Sequence, residues 1–157
     1  MSKKEYKDRT DLEKIQSQWN KLTGLHSREE FSGAVVRAAT AAEIAANFAV
    51  RHEFESQSKC TEEFVNSLLR WANGIDGKLN RLLIPITEGS KRNKTLSDAK
   101  KRAERINKKR NAVAHQGEFC NIDESKEVID DARHFIETVV KLYDPAFKLK
   151  DKKKRKK

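Results

Sequence analysis

The chain has 157 residues, which is enough for one domain with a single hydrophobic core and too few for two domains of ordinary size. Charged residues make up 37% of it and the net charge is +10, while only 6 glycines and 2 prolines are present. So few turn residues exclude a many-stranded β-sandwich or barrel. We therefore predict an all-α fold, a compact bundle of about five helices.

Two short segments hold the excess of positive charge. Residues 91–110 carry ten basic side chains against two acidic ones, and residues 148–157 carry eight against one, whereas the rest of the chain is mildly acidic. Closely spaced cations gain free energy by displacing counterions from a phosphate backbone, so this distribution predicts RNA or another nucleic acid as the partner. An anionic membrane surface is the competing interpretation for the C-terminal segment, but we expect no membrane insertion because no long apolar run is present.

The N-terminal segment and the cysteines predict the cellular compartment. The first residues lack the apolar stretch of a signal peptide, and the sequence contains only two cysteines, Cys60 and Cys120. These features predict a cytoplasmic protein with free thiols. The sequence shows no glycine-rich phosphate loop, nucleophile elbow or HExxH motif, so we predict that the protein uses no metal and no cofactor.

Five segments carry the apolar period of an amphipathic helix, with cap and stop residues at their boundaries. They cover residues 3–23, 27–56, 61–85, 96–116 and 123–143. The second segment is rich in alanine, which permits close packing on several sides, and a capping-box pattern from Ser27 to Glu30 marks its start. We expect it to be the central helix. Trp19 and Trp71 lie on apolar stripes and are therefore expected in the core, the alternative being platforms on which nucleobases stack.

Irregular features fall inside and between these segments. Gly74 and Gly77 predict a bend or a close helix crossing within the third one. Residues 86–95 have no period and are predicted to form a basic loop. We predict a single helical domain over residues 1–147, followed by a disordered basic C-terminal tail over residues 148–157.

The end of the fourth predicted helix holds the residues that are best suited to chemistry. Arg110, Asn111 and His115 fall within its last two turns, and Gly117 fits the left-handed position that follows a helix. Asn111 and His115 lie about 40° apart on one ridge, and Arg110 and His115 flank one groove. A phosphate between them would have a cation on one side and a proton carrier on the other.

This arrangement suits RNA transesterification, in which a 2′-hydroxyl attacks the adjacent phosphate and the 5′-oxygen leaves. The reaction needs a proton acceptor, a proton donor and positive charge beside the phosphorane. His115 suits proton transfer near neutral pH, the planar fork of Arg110 suits phosphate oxygens, and Asn111 would orient either group. From the residues alone, the alternative is a surface arginine and a histidine that caps the helix.

The RNxxxH pattern from Arg110 to His115 closes the penultimate long helix and is followed by glycine, a short acidic loop and one more amphipathic helix. In this respect residues 27–143 resemble the HEPN superfamily (higher eukaryotes and prokaryotes nucleotide-binding domains). The resemblance implies a metal-independent endoribonuclease in a defence, toxin–antitoxin or RNA-processing system. It also implies a homodimer with Arg110 and His115 at the interface, and a cognate antitoxin or regulatory protein as a further partner. Because other members have lost catalysis, the alternative is a non-catalytic RNA- or protein-binding module or scaffold subunit.

Further polar residues are predicted to support the site. Glu43 and Asn47 are polar side chains on the largely buried second helix and therefore need partners. By resemblance, Glu43 would hold Arg110 in place, and a structural ion pair with Arg70 or Lys78 is an equal alternative. The expected RNA-binding residues are the cations of the 91–110 segment: Lys91, Arg92, Lys94, Arg102, Arg105, Lys108 and Lys109.

Overall fold

The structure, a computed structural model, describes residues 3–152 apart from the Gln57 side chain, and every regular element in that range is helical. The helices are α1 (Asp11–Ser27), α2 (Phe31–Arg51), α3 (Glu62–Trp71), α4 (Gly74–Gly77), α5 (Ile84–Ile86), α6 (Lys91–Asp98), α7 (Lys100–Gln116) and α8 (Ile122–Lys141). A 3₁₀ turn precedes α1, and π-helical turns continue α2 over His52–Gln57 and join α4 to α5 over Lys78–Leu83. The predicted all-α class is confirmed.

Helix α2 lies at the centre because its small side chains allow neighbouring helices to approach closely. All eight of its alanines are buried, and α1, α7 and α8 pack around it. Within the described residues, Phe31–Ser56 is the one helical stretch that is long and apolar enough to cross a membrane. Of its most apolar 18-residue segment, 61% is buried inside the protein. The core helix of a bundle has the same properties.

The first two helices begin later than predicted, and capping explains the start of the first. Thr10 and Glu13 form the capping box of α1, with each side chain accepting the backbone N–H of the other at 3.2 Å. The predicted capping box from Ser27 is wrong, because Ser27 is the last residue of α1. The chain then turns at Glu29, which has a φ of 62°, and α2 begins at Phe31.

The third predicted helix is divided into two parts. Thr61 caps the start of α3, close to where the sequence predicts it, and α3 ends at Trp71. The chain resumes a helical path at Gly74, whose φ of 77° is a left-handed conformation that glycine adopts without strain. The predicted basic loop is also partly helical, because Ser90 caps α6 within it.

Residues 148–152 pack beside α1 and α8. The side chain of Leu149 is 3% exposed, and Asp151 forms an ion pair with Arg133 of α8. The ordered part of the chain therefore extends past the predicted start of the tail, because an apolar side chain within the basic segment completes the core. The rest of the predicted tail, residues 153–157, lies outside the described residues.

Candidate active site

The RNxxxH residues line a pocket of about 310 Å³ between α2, α4 and α7. The lining residues are Ala39, Thr40 and Glu43 of α2, Asn73, Gly74 and Ile75 at the start of α4, and Asn107, Arg110, Asn111 and His115 of α7. The structure thus brings together all three predicted catalytic residues and one of the two predicted supporting residues.

The guanidinium of Arg110 contacts two other side chains of α7. Its Nη1 atom lies 3.1 Å from Nε2 of His115 and 3.3 Å from Oδ1 of Asn111. A guanidinium can only donate, so Nε2 must accept, which requires a neutral imidazole with its proton on Nδ1. The sequence predicts that a phosphate lies between Arg110 and His115, whereas in the structure the two side chains contact each other directly. In this arrangement His115 is a proton acceptor.

The end of α7 fixes the position of His115. Gly117 follows the helix with a φ of 68°, and the N–H of Glu118 donates to the carbonyl of Ala112 at 3.1 Å, which closes the last turn. His115 is exposed whereas Arg110 is half-buried. The imidazole is therefore open to a ligand, while the arginine stem is held by the surrounding protein.

Glu43 pairs with Lys78, which was one of the alternatives for this carboxylate. The Nζ atom of Lys78 donates to Oε1 of Glu43 at 2.5 Å, and the lysine side chain is only 6% exposed. In the part of the chain that the structure describes, Glu43 forms no hydrogen bond with Arg110, although both line the pocket. The pair joins α2 to the turn after α4 and neutralises the only carboxylate among the pocket-lining residues.

Asn47 lies one turn further along α2 and is not among the residues that line the pocket. It lines a neighbouring groove of about 440 Å³, to which Asn73 also contributes. Its Oδ1 atom is buried and has no hydrogen-bond partner within residues 3–152. The two predicted supporting residues are therefore divided between the pocket and the groove, with Asn73 at their junction.

Sequence reasoning missed Asn107 and Asn73. Burial raises the pKa of Asp76. The Nδ2 atom of Asn107 donates to Oδ2 of Asp76 at 3.0 Å, and this hydrogen bond partly offsets the rise. Asn107, Asn111 and His115 are spaced i, i+4 and i+8 on one ridge of α7, a signal that could have identified Asn107. Asn73 carries no such signal, because the turn between α3 and α4 brings it to the pocket.

Arg92, predicted to bind RNA, belongs to a buried polar cluster. Its Nε and Nη2 atoms donate to Glu53 at 2.6 and 3.2 Å, and the Glu53 side chain is 2% exposed. The Tyr143 hydroxyl donates to the same carboxylate at 2.7 Å. Burial raises the pKa of Tyr143, and the hydrogen bond to Glu53 adds to this effect. The cluster ties the end of α2 to α6 and to the residues after α8.

The other predicted RNA-binding cations divide into paired and unpaired sets. Arg102 and Arg105 donate to Asp131 of α8 at 2.9 and 2.8 Å, and Lys109 forms an ion pair with Glu124 at 2.6 Å. The cations that are exposed and have no carboxylate partner among the described residues are Lys91, Lys94 and Lys108. The positive charge of this segment is therefore partly neutralised by α8.

A comparison of the chain with protein-family models, with curated proteins and with solved structures finds no match. The fold and the pocket define a helical domain that presents an arginine, an asparagine and a histidine at one helix end.

Proposed function

We propose that the protein is an endoribonuclease that cleaves RNA by metal-independent transesterification. The observation that carries the proposal is the convergence of Arg110, Asn111 and His115 in one pocket, with Nη1 of Arg110 placed 3.1 Å from Nε2 of His115. The resemblance of the RNxxxH pattern to the HEPN superfamily supports the same activity.

The reaction assigns a separate task to each side chain. A phosphate that enters the pocket draws the guanidinium of Arg110 onto its non-bridging oxygens and frees Nε2 of His115. Nε2 then takes the proton of the 2′-hydroxyl as the bond from that oxygen to phosphorus forms and the bond to the 5′-oxygen breaks. Asn111 keeps the guanidinium oriented. The products are a 2′,3′-cyclic phosphate and a 5′-hydroxyl.

The leaving 5′-oxygen needs a proton donor, and this requirement points to a second copy of the chain. Among the pocket-lining residues, His115 is the only side chain of a type that titrates near neutral pH. Two chains that pair about a two-fold axis at the ends of their α7 helices would each contribute one His115 to a shared groove, where the neutral imidazole of one chain accepts the 2′-proton and the protonated imidazole of the other donates a proton to the 5′-oxygen. Phe119 lies just after α7 and is 92% exposed, so it supplies apolar surface for such a contact. We therefore propose a homodimer.

The donor set of the pocket favours a reaction without a divalent metal. Magnesium is held chiefly by carboxylate and carbonyl oxygens. Glu43 is the only carboxylate among the lining residues, and Lys78 already neutralises it. Cleavage is therefore expected to persist in excess chelator.

The test is incubation of the purified protein with structured and unstructured RNA in excess chelator. His115→Ala is expected to lower the cleavage rate by at least about 100-fold, the effect typical of removing a proton-transfer group. His134→Ala is the matched control, because His134 is an exposed histidine of α8 outside the pocket. Cleavage that stops with chelator, or that continues unchanged in His115→Ala, would contradict the proposal. RNA binding without cleavage by any variant would favour the non-catalytic binding module.

A further inference from the structure

Trp71 was expected in the core but is 62% exposed at the end of α3. The guanidinium of Arg81 lies over its ring, with Cζ 5.3 Å from the ring centroid. An arginine against one face of an indole forms a flat surface that is both aromatic and cationic. Unpaired nucleobases stack on surfaces of this kind.

Trp71 lies close in the sequence to a residue of the candidate active site, although neither Trp71 nor Arg81 lines the pocket itself. Trp71 precedes Asn73 by two residues, and Asn73 lines both the pocket and the neighbouring groove. Two residues of extended backbone span at most about 7 Å. The backbone of Trp71 therefore lies within about 7 Å of a pocket-lining residue, close enough for one RNA strand to contact both.

The arginines around Trp71 are not neutralised by carboxylates. Among the described residues, Arg70 has a side-chain hydrogen bond only to Ser67 and Arg81 contacts the indole, so neither has a carboxylate partner. In contrast, Arg102 and Arg105 of α7 both form ion pairs with Asp131, which neutralises part of their charge. Positive charge is therefore available to a phosphate backbone beside Trp71, where an aromatic surface is also exposed.

We propose that Trp71 and Arg81 form a subsite that stacks an unpaired nucleobase next to the phosphate held by Arg110. The identity of the ligand rests on the proposed function of the pocket. In a duplex the bases are stacked on one another and cannot reach the ring, so the site discriminates against double-stranded RNA.

The test measures RNA binding separately from cleavage. All proteins carry His115→Ala so that the RNA stays intact, and their affinities for a short labelled single strand and for its duplex are measured by fluorescence anisotropy. Adding Trp71→Ala is expected to weaken binding of the single strand by about tenfold or more, with little change for the duplex. Trp71→Phe keeps an aromatic face and is expected to retain most of the affinity. Phe64→Ala is the matched control, since Phe64 is 52% exposed on the same helix and no cation of the described residues lies over its ring.

Intrinsic fluorescence gives a second readout. Trp19 is 1% exposed, so quenching of tryptophan emission by the single strand reports stacking on Trp71. The inference is overturned if Trp71→Ala binds the single strand as tightly as its parent, if Phe64→Ala loses as much affinity, or if Trp71→Ala changes the oligomeric state instead. A protein that binds RNA through Trp71 but never cleaves it would sustain this inference while the proposed function fails.

Discussion

Nη1 of Arg110 and Nε2 of His115 are joined by a hydrogen bond of 3.1 Å between the cation of the pocket and its proton acceptor. The bond requires a neutral imidazole, because the guanidinium has no lone pair to offer. In the proposed mechanism, a phosphate that binds Arg110 would displace this hydrogen bond, so that substrate binding would also release the base.

The first prediction concerns the planar fork of Arg110. Arg110→Lys retains the charge but loses bidentate donation, so we expect cleavage to fall by about tenfold or more, and Arg110→Ala to lower it by about 100- to 1,000-fold. Single-turnover rates at saturating RNA measure this effect apart from binding. Lys101→Ala is the control, since Lys101 is exposed on the same helix and does not line the pocket. Full activity of Arg110→Lys would exclude bidentate phosphate contact.

The second prediction concerns the shared site. A mixed dimer of one unmodified chain and one His115→Ala chain is expected to be strongly impaired, because acceptor and donor come from different chains. Phe119→Asp is expected to shift the protein towards monomer and to lower activity in parallel, as seen by sedimentation and cleavage assays. Mixed dimers with half the normal activity, or a fully active monomer, would rule out the composite site.

The third prediction separates the packed and terminal parts of the basic segment. Leu149 is 3% exposed, so Leu149→Ala is expected to lower the free energy of unfolding by about 2–3 kcal/mol in urea denaturation. Removing residues 153–157 leaves every described contact intact and is expected to preserve stability. The same truncation removes five cations, so it should weaken RNA binding at low salt and flatten its salt dependence. Equal destabilisation by both changes would contradict this division.

The fourth prediction concerns acid stability. Hydrogen bonding to Arg105 is the main cause that lowers the pKa of Asp131, and Arg102 adds to it. Because the folded pKa lies below the unfolded value of about 3.9, the stabilisation is complete above that pH and is lost as the pH falls through the folded pKa. Asp131→Asn is expected to lower stability at neutral pH and to reduce its loss below about pH 4. If the melting temperatures of the two proteins differ by the same amount at every pH from 7 to 2, the charge of Asp131 contributes nothing to the pH dependence of stability.

Local signals predicted the end of α7 correctly. The helical period runs up to the RNxxxH pattern, and Gly117 has the left-handed conformation that its position after the helix predicts. The exposure of Trp71 was not predictable in the same way. Its apolar stripe suggests burial, but the break at Gly74 ends α3 and leaves the last side chain at the surface.

The ion pairs between different helices were also not predictable from the sequence. The sequence does not decide whether Glu43 pairs with Arg110, Arg70 or Lys78, because the choice depends on how α2 and the turn after α4 approach each other. The pairing of Arg105 with Asp131 likewise joins residues of α7 and α8 that are distant in the sequence. Charge counts along the chain therefore overstate the positive charge that α7 presents at the surface.

The chemical ends of the RNA fragments test the transesterification mechanism most directly. Mass spectrometry of fragments produced by the unmodified protein in excess chelator is predicted to find 2′,3′-cyclic phosphate, or its hydrolysed form, opposite a 5′-hydroxyl. A 2′-deoxy nucleotide at the cleavage position is predicted to abolish the product. Fragments with a 3′-hydroxyl and a 5′-phosphate, or cleavage at the 2′-deoxy position, would contradict the mechanism, because the nucleophile would then be water.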